Sequence, residues 1–325
     1  MPKCKDTDFL YLTALVREKE TRLVSAEQVD RMLRSGGDSD AVKILEECGY
    51  GQVDVSDAAA LDFALGKKLA TVLKEFEARV PDKRIIDVFR VKYDYHNAKV
   101  LVKAEAARVD GDRLMSDWGR VAREVFEMDY YEGLFSDEPP ILAEAISAAR
   151  QVLKDTKDPQ AADVLLDRAM YREYLELAGA LGDDFLSVYV RLSIDGVNLR
   201  TAVRAVRMGL GPDQLTDALI PGGAVSPEQV IQATNMKRLY GGTPLATAAG
   251  LAADAMAGRS LTAFEREVDN AHSVYMEQAK FVAFGIAPVL AYLAALETEA
   301  ETLRIVMAGR NAGLAPEAIR ERLRD

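Results

Sequence analysis

The sequence predicts an all-α protein, and three observations carry that reading. Nearly every segment longer than ten residues spaces its apolar residues in steps of three and four, the period of a helix buried on one side. Strict alternation over the length of a strand is scarce, and β-branched runs are short. Glycines and prolines punctuate the chain between the periodic segments, where helices stop and start.

Asp6–Glu18 carries Phe9, Leu10, Leu12, Leu15 and Val16 in one apolar stripe. Ser25 with Gln28 has the pattern of a capping box and opens a helix Ala26–Arg34, which stops at Gly36-Gly37. Ser39–Cys48 is a short helix ending at Gly49 and Gly51. Ser56 or Asp57 opens a long helix to Glu77, and Pro81-Asp82 breaks the chain. Arg84–Arg108 follows, with Ile85, Val88, Phe89, Val91, Tyr95, Ala98, Leu101 and Val102 as its core face. Asp110-Gly111-Asp112 ends it. Leu114–Glu127 reads as a helix and Ser136–Pro140 as a turn, whose prolines suit the start of the helix Ile141–Asp155. Asp158-Pro159 opens a helix to Leu181, and Gly182-Asp183-Asp184 separates it from Phe185–Met208. Shorter elements follow: Pro212–Leu219, and a helix with Ser226 as N-cap and Pro227 in its first position. Leu245–Ala257, Leu261–Lys280, Pro288–Gly309 and Pro316–Leu323 complete the chain.

Composition narrows the function. The 325 residues, 49% of them hydrophobic, are enough for a sizeable core and for two or three domains of roughly 100–200 residues each. A net charge of −11 argues against a nucleic-acid partner and suits a soluble exterior or a basic protein partner. Cys4 and Cys48 form no spaced framework, so reduced thiols are expected, Cys48 as a small buried hydrophobe. The N-terminal stretch lacks the apolar core of a signal peptide. The longest uncharged run, Phe281–Leu296, is shorter than the roughly twenty residues a spanning helix needs, and it contains Gly285 and Pro288. It reads as a core helix, with no direct membrane span.

Catalytic patterns are absent. His96 and His272 have no metal-ligand spacing. Gly241-Gly242-Thr243 lacks the lysine of a phosphate loop, and Gly209-x-Gly211 lacks a third glycine and follows a helix. Asp183-Asp184 would begin a DDxxD magnesium motif, but the fifth position is Ser187; two acids at a helix start are explained by the macrodipole. Glu297, Glu299 and Glu301 spread over both sides of a helix. No catalytic residue, cofactor or metal site is predicted.

A repeat is the chain's most informative feature. An acid, a polar residue three later and a base two after that recur as Asp94-x-x-Asn97-x-Lys99, Asp195-x-x-Asn198-x-Arg200 and Glu299-x-x-Thr302-x-Arg304. Each lies in the helix that ends its block, and successive copies are about one hundred residues apart, a domain-sized period. A second echo pairs Val24-Ser25-Ala26-Glu27-Gln28-Val29 with Val225-Ser226-Pro227-Glu228-Gln229-Val230. Together they predict three helical repeats, 1–110, 111–211 and 212–325. The signature has two readings. It packs and caps the fold, or it points three polar helix ends at a common centre where a partner docks, which makes its nine residues candidate partner-binding residues.

Four stretches give the chain a family resemblance: Asp8–Arg17 (DFLYLTALVR), Tyr93–Lys99 (YDYHNAK), Ile194–Ala202 (IDGVNLRTA), and Pro288–Tyr292 continuing through Glu299, Leu303-Arg304 and Gly313-Leu314. In order, spacing and total length the sequence resembles the C subunit of V/A-type rotary ATPases, the d subunit of eukaryotic vacuolar complexes. The resemblance implies three similar helical subdomains around a pseudo-threefold axis, shaped like a funnel. It implies a non-catalytic central-rotor subunit that binds no nucleotide. Its partners would be the central-shaft subunits and the membrane ring of ion-carrying subunits, met at the cytoplasmic face as part of a membrane complex. The competing readings are an all-helical adaptor without a membrane complex, and a helical enzyme, for which no convergent acid set exists.

Overall fold

The computed structural model describes residues 4–133, 140–259 and 261–323, and among them helices alternate with turns and no strand occurs. After a 3-10 turn at Asp6–Phe9 come α1 (Leu10–Glu20), α2 (Ala26–Arg34), α3 (Asp38–Glu47), α4 (Ala58–Glu77) and α5 (Arg84–Ala107). The chain continues through α6 (Arg123–Glu132), α7 (Pro140–Thr156), α8 (Pro159–Leu181), α9 (Asp184–Met208) and α10 (Pro212–Ala218). The last are α11 (Pro227–Gln232), α12 (Met236–Leu239), α13 (Ala246–Met256), α14 (Thr262–Glu277), α15 (Ile286–Asn311) and α16 (Pro316–Arg320). No helix among the described residues is long and apolar enough to cross a membrane.

Local signals set most boundaries. Ser25 accepts from the Gln28 amide at 3.2 Å while the Gln28 side chain accepts from the Ser25 amide at 2.8 Å, the reciprocal bonding of a capping box. Ser226 and Gln229 repeat it ahead of α11. Asp57, Asp158 and Asp183 cap α4, α8 and α9. Gly182 and Gly209 end α8 and α9 in the left-handed conformation.

Three expectations change. The predicted helix Leu114–Glu127 is replaced by a 3-10 turn at Asp112–Leu114, irregular chain to Ala122, and α6. The amides of Ser116 and Arg120 donate to side chains of α5 and are withdrawn from any local helix. Helix α15 starts at Ile286, ahead of the predicted Pro288. Pro288 lies within the first turn, where amides have no intrahelical acceptor and a missing N–H costs nothing. Helix α12, capped by the Asn235 side chain, was not expected. Of the predicted turn Ser136–Pro140, all but Pro140, the first residue of α7, lies outside the described residues.

The chain forms two compact units. One combines the chain up to Lys83 with the chain from residue 261 onward; the other is Arg84–Arg259. In the first, Leu303, Val306 and Met307 of α15 pack with Met32, Ile44, Leu45, Leu61 and Leu65. Cys48 is a free thiol buried in this core. In the second, Val91, Tyr95, Ala98 and Leu101 of α5 pack with Phe126, Leu142, Ile146 and Leu166. Every residue of the predicted α5 core face is buried. Each such large apolar side chain contributes about 1.5–3 kcal/mol by leaving water.

Candidate functional site

The three signatures fall in the middle of α5, α9 and α15. In α5, Asp94 and Asn97 are fully buried. Asn97 and Ser116 bond reciprocally: Asn97 Nδ2 donates to the Ser116 carbonyl at 2.9 Å, and the Ser116 amide donates to Asn97 Oδ1 at 2.7 Å. Asp94 Oδ1 accepts from the Arg120 amide at 2.9 Å and Oδ2 from Arg120 Nε at 2.5 Å. Arg120 also donates through Nη1 to Glu173 of α8, which accepts from the Tyr95 hydroxyl as well. Lys99 pairs with Asp167 of α8 at 2.5 Å.

In α9 the same construction returns. Asn198 Nδ2 donates to the Ile220 carbonyl at 2.7 Å, and the Ile220 amide donates to Asn198 Oδ1 at 2.8 Å. The Asp195 carboxylate accepts from the amides of Ala224 and Val225, each at 3.1 Å. The gripped segments match in register, since Arg120 follows Ser116 by the same step as Ala224 follows Ile220. Each asparagine thus acts as a side-chain substitute for a strand neighbour, and each aspartate as a cap for loop amides. Burial pushes the Asp195 carboxyl above its usual range, with the Val225 and Ala224 amides pulling against that. Arg200 stands near Tyr171, whose phenol burial pushes up and Arg200 pulls down.

The third copy, in α15, grips the start of the chain. The Glu299 carboxylate accepts from the Val24 amide at 2.5 Å, from the Tyr50 hydroxyl, and from Lys68 Nζ at 2.8 Å. Val24 and Val225 are therefore equivalent: each is the residue before a serine-glutamine capping box, and each donates its amide to a signature acid. Thr302, half-buried, forms no counterpart of the asparagine clamp among the described residues. Arg304 pairs with Asp62 of α4 at 2.6 Å.

Each copy of the signature is a clamp of its own, and the acids and asparagines face the chain's own loops. Several partners have no sequence signal of their own: Arg120, Glu173, Tyr50 and Lys68. Gly119 and Gly223 could have been found, because each opens a Gly-x-Val step after a signature. Their missing side chains let the loop lie against the acid, since a Cβ on Gly119 would stand 2.2 Å from Asp94 Oδ1 and one on Gly223 2.1 Å from Asp195 Oδ1. Gly119→Ala and Gly223→Ala are each expected to cost about 1–3 kcal/mol through this overlap. Gly179→Ala, in open space on α8, is the control and is expected to be neutral or stabilising. Urea midpoints followed by far-UV circular dichroism check all three.

The class defined by this arrangement is an all-α protein in which one helix-and-loop clamp recurs, with the buried acids Asp94, Asp195 and Glu299 bonded to backbone amides of the chain's own loops. The profile of the ATP synthase (C/AC39) subunit family matches residues 12–322, and the chain belongs to that family. It is similar to the C subunit of the V-type sodium ATPase of Enterococcus hirae, at 24% identity over 96% of this chain and 97% of the relative. It is also similar to the C subunit of the V-type ATP synthase of Thermus thermophilus, at 25% identity over 97% and 98%. The C subunit of the A-type ATP synthase of Methanocaldococcus jannaschii is 25% identical over 97% of this chain and 86% of its own length.

Proposed function

We propose that the chain is the non-catalytic central-rotor subunit of a V/A-type ATPase or ATP synthase. It is a socket that links the central shaft to the membrane ring of ion-carrying subunits and transmits torque for ATP synthesis or ion pumping. The observation that carries this reading is the family match across residues 12–322, together with relatives of matching length that are named as the C subunits of such complexes. The subunit is peripheral, at the cytoplasmic face, and the ring rather than the bilayer is its membrane-side partner.

A torque coupler needs stiffness and several points of attachment. Close-packed helices supply stiffness. The recurrence of the clamp supports three repeats, 1–110, 111–211 and 212–325, and the pseudo-threefold, funnel-like arrangement is what the family resemblance implies for them. In this reading the signature serves partner binding at one remove. Asp94, Asn97, Asp195, Asn198 and Glu299 fix the loops that meet partners, and the bases Lys99, Arg200 and Arg304 brace the helices that carry those loops.

The test is native electrophoresis of detergent-solubilised membranes from cells producing the tagged chain. The expected result is co-migration with a membrane ring and a coiled-coil shaft, and loss of that band when the shaft subunits are deleted. Migration of the chain alone, or with soluble proteins only, would replace this reading with that of a helical adaptor.

A further inference from the structure

The Arg84–Arg259 unit holds a cavity of about 1270 Å³ in which no signature residue takes part. It lies where the C-terminal ends of α5 and α7 meet, with the buried Val102 and Ile146 in its lining. Five cations line it, Lys103, Arg108, Arg150, Lys154 and Lys157, against one carboxylate, Glu105. Two of the cations are compensated within the fold. Arg150 holds Glu105 through Nη2 at 2.6 Å and Nε at 2.9 Å, and Lys103 pairs with Asp163 at 3.1 Å. Arg108, Lys154 and Lys157 are exposed and make no ion pair among the described residues. Among the described residues, three positive charges without an ion pair thus share one hollow in a chain of net charge −11.

The backbone adds a second, independent observation. Arg108, at φ 55°, and Lys157, at φ 58°, are the non-glycine residues with left-handed backbone among the described residues. Both follow the last residue of a helix. At the same place after α6, α8 and α9 the chain uses Gly133, Gly182 and Gly209. A side chain there carries a steric penalty that glycine avoids. Attraction to the helix dipole does not require these positions, since a cation anywhere in the last turn serves it, as Lys154 already does in α7. The two departures from glycine are both basic and both line this cavity.

We propose that the cavity is a docking site for an acidic, amphipathic segment of another polypeptide. Its carboxylates would meet Arg108, Lys154 and Lys157, and an apolar side chain would enter against Val102 and Ile146. The excess of cations in the lining complements an acidic segment, and the volume of about 1270 Å³ exceeds the roughly 300–1,000 Å³ of small-ligand pockets. A small inorganic anion would leave the apolar part of the lining unmatched. The inference goes beyond the rotor reading and stands on charge and shape whether or not that reading holds.

Fluorescence anisotropy of the full chain tests it. The probe is a short labelled helical peptide with leucines on one face and glutamates flanking them, set against its glutamine counterpart. The wild-type chain should bind the glutamate peptide and prefer it to the glutamine one. The Arg108→Gly/Lys157→Gly variant should bind about tenfold more weakly, the equivalent of losing two exposed ion pairs. Its melting temperature should stay level or rise, because glycine relieves both left-handed positions. That opposition separates a binding role from a structural one. Failure of the wild type to bind, equal binding of the glutamine peptide, or undiminished binding by the glycine variant would each overturn the proposal. So would displacement of the peptide by pyrophosphate at matched ionic strength, which would reassign the cavity to a small anion.

Discussion

Replacing Arg120 by methionine is expected to destabilise the Arg84–Arg259 unit by about 3–5 kcal/mol, the cost of stranding buried charges without their counter-ion. Arg120 stands between two carboxylates that have little other charge compensation. Its side chain is 13% exposed, that of Asp94 0% and that of Glu173 5%. Burial opposes the charge on Arg120, but Asp94 and Glu173 outweigh that and hold the guanidinium firmly ionised. Burial likewise pushes the Asp94 carboxyl upward, restrained by Arg120's charge and hydrogen bonds. Without Arg120 that restraint is gone, and burial acts on the Asp94 carboxyl unopposed by any counter-ion in the clamp. Methionine replaces the side-chain stem but none of its donors.

The same argument predicts a rescue. Asp94→Asn/Arg120→Met/Glu173→Gln removes the whole charged group and is expected to recover most of the loss, because deleting a buried ion cluster is often neutral where deleting one member is not. Trp118, the chain's single tryptophan, reports on the event directly. It lies in the gripped loop with its ring edge-on to Tyr93 at 5.1 Å. Urea titrations read by its fluorescence should shift with those read by circular dichroism. If Arg120→Met unfolds at the same urea concentration as the exposed control Arg113→Met, the buried network contributes nothing and the clamp is incidental.

What the sequence disclosed, and what it hid, follows the range of the interactions. The capping box at Ser25 and the N-cap at Ser226 were legible because their signals sit within one turn. The α5 core face was legible because helical spacing is local. The signature was legible as a pattern, but its targets were not. Asn97 reaches Ser116 and Asn198 reaches Ile220 across loops of unequal length, so no fixed spacing marks them. Leu114–Glu127 was misread as a helix for the same reason: its apolar spacing is adequate, and distant side chains on α5 take its amides. Arg120 and Glu173 come from separate elements and meet only in the fold. The family was legible despite this, because it rests on the order and spacing of several short stretches rather than on any one contact.

Glu299→Ala is the second large effect, and it bears on how the ends of the chain are joined. The expected loss is about 3–5 kcal/mol, since Lys68, with a side chain 14% exposed, is left without its carboxylate. The Tyr50 hydroxyl and the Val24 amide lose their acceptor as well. Burial first, and then the charge of Glu299, push the Tyr50 phenol upward; the burial persists in the variant, so the hydroxyl stays a donor that has lost its acceptor. Lys68 also donates to the Cys48 carbonyl and lies over the Tyr50 ring at 4.0 Å, so the disturbance spreads through the loop that follows α3. The prediction differs from a general destabilisation in where it acts. Hydrogen exchange should show lost protection in peptides covering residues 22–28, while peptides covering Ala224 and Val225, held by Asp195, keep theirs. An unchanged exchange pattern at 22–28 together with an unchanged urea midpoint would remove Glu299 from this role. The expected pattern ties the last long helix to the first capping box by the same device that joins α9 to α11. A chain so closed has its first and last segments in one cooperative unit, so damage at Glu299 frees the N-terminal helices before it reaches the other clamps.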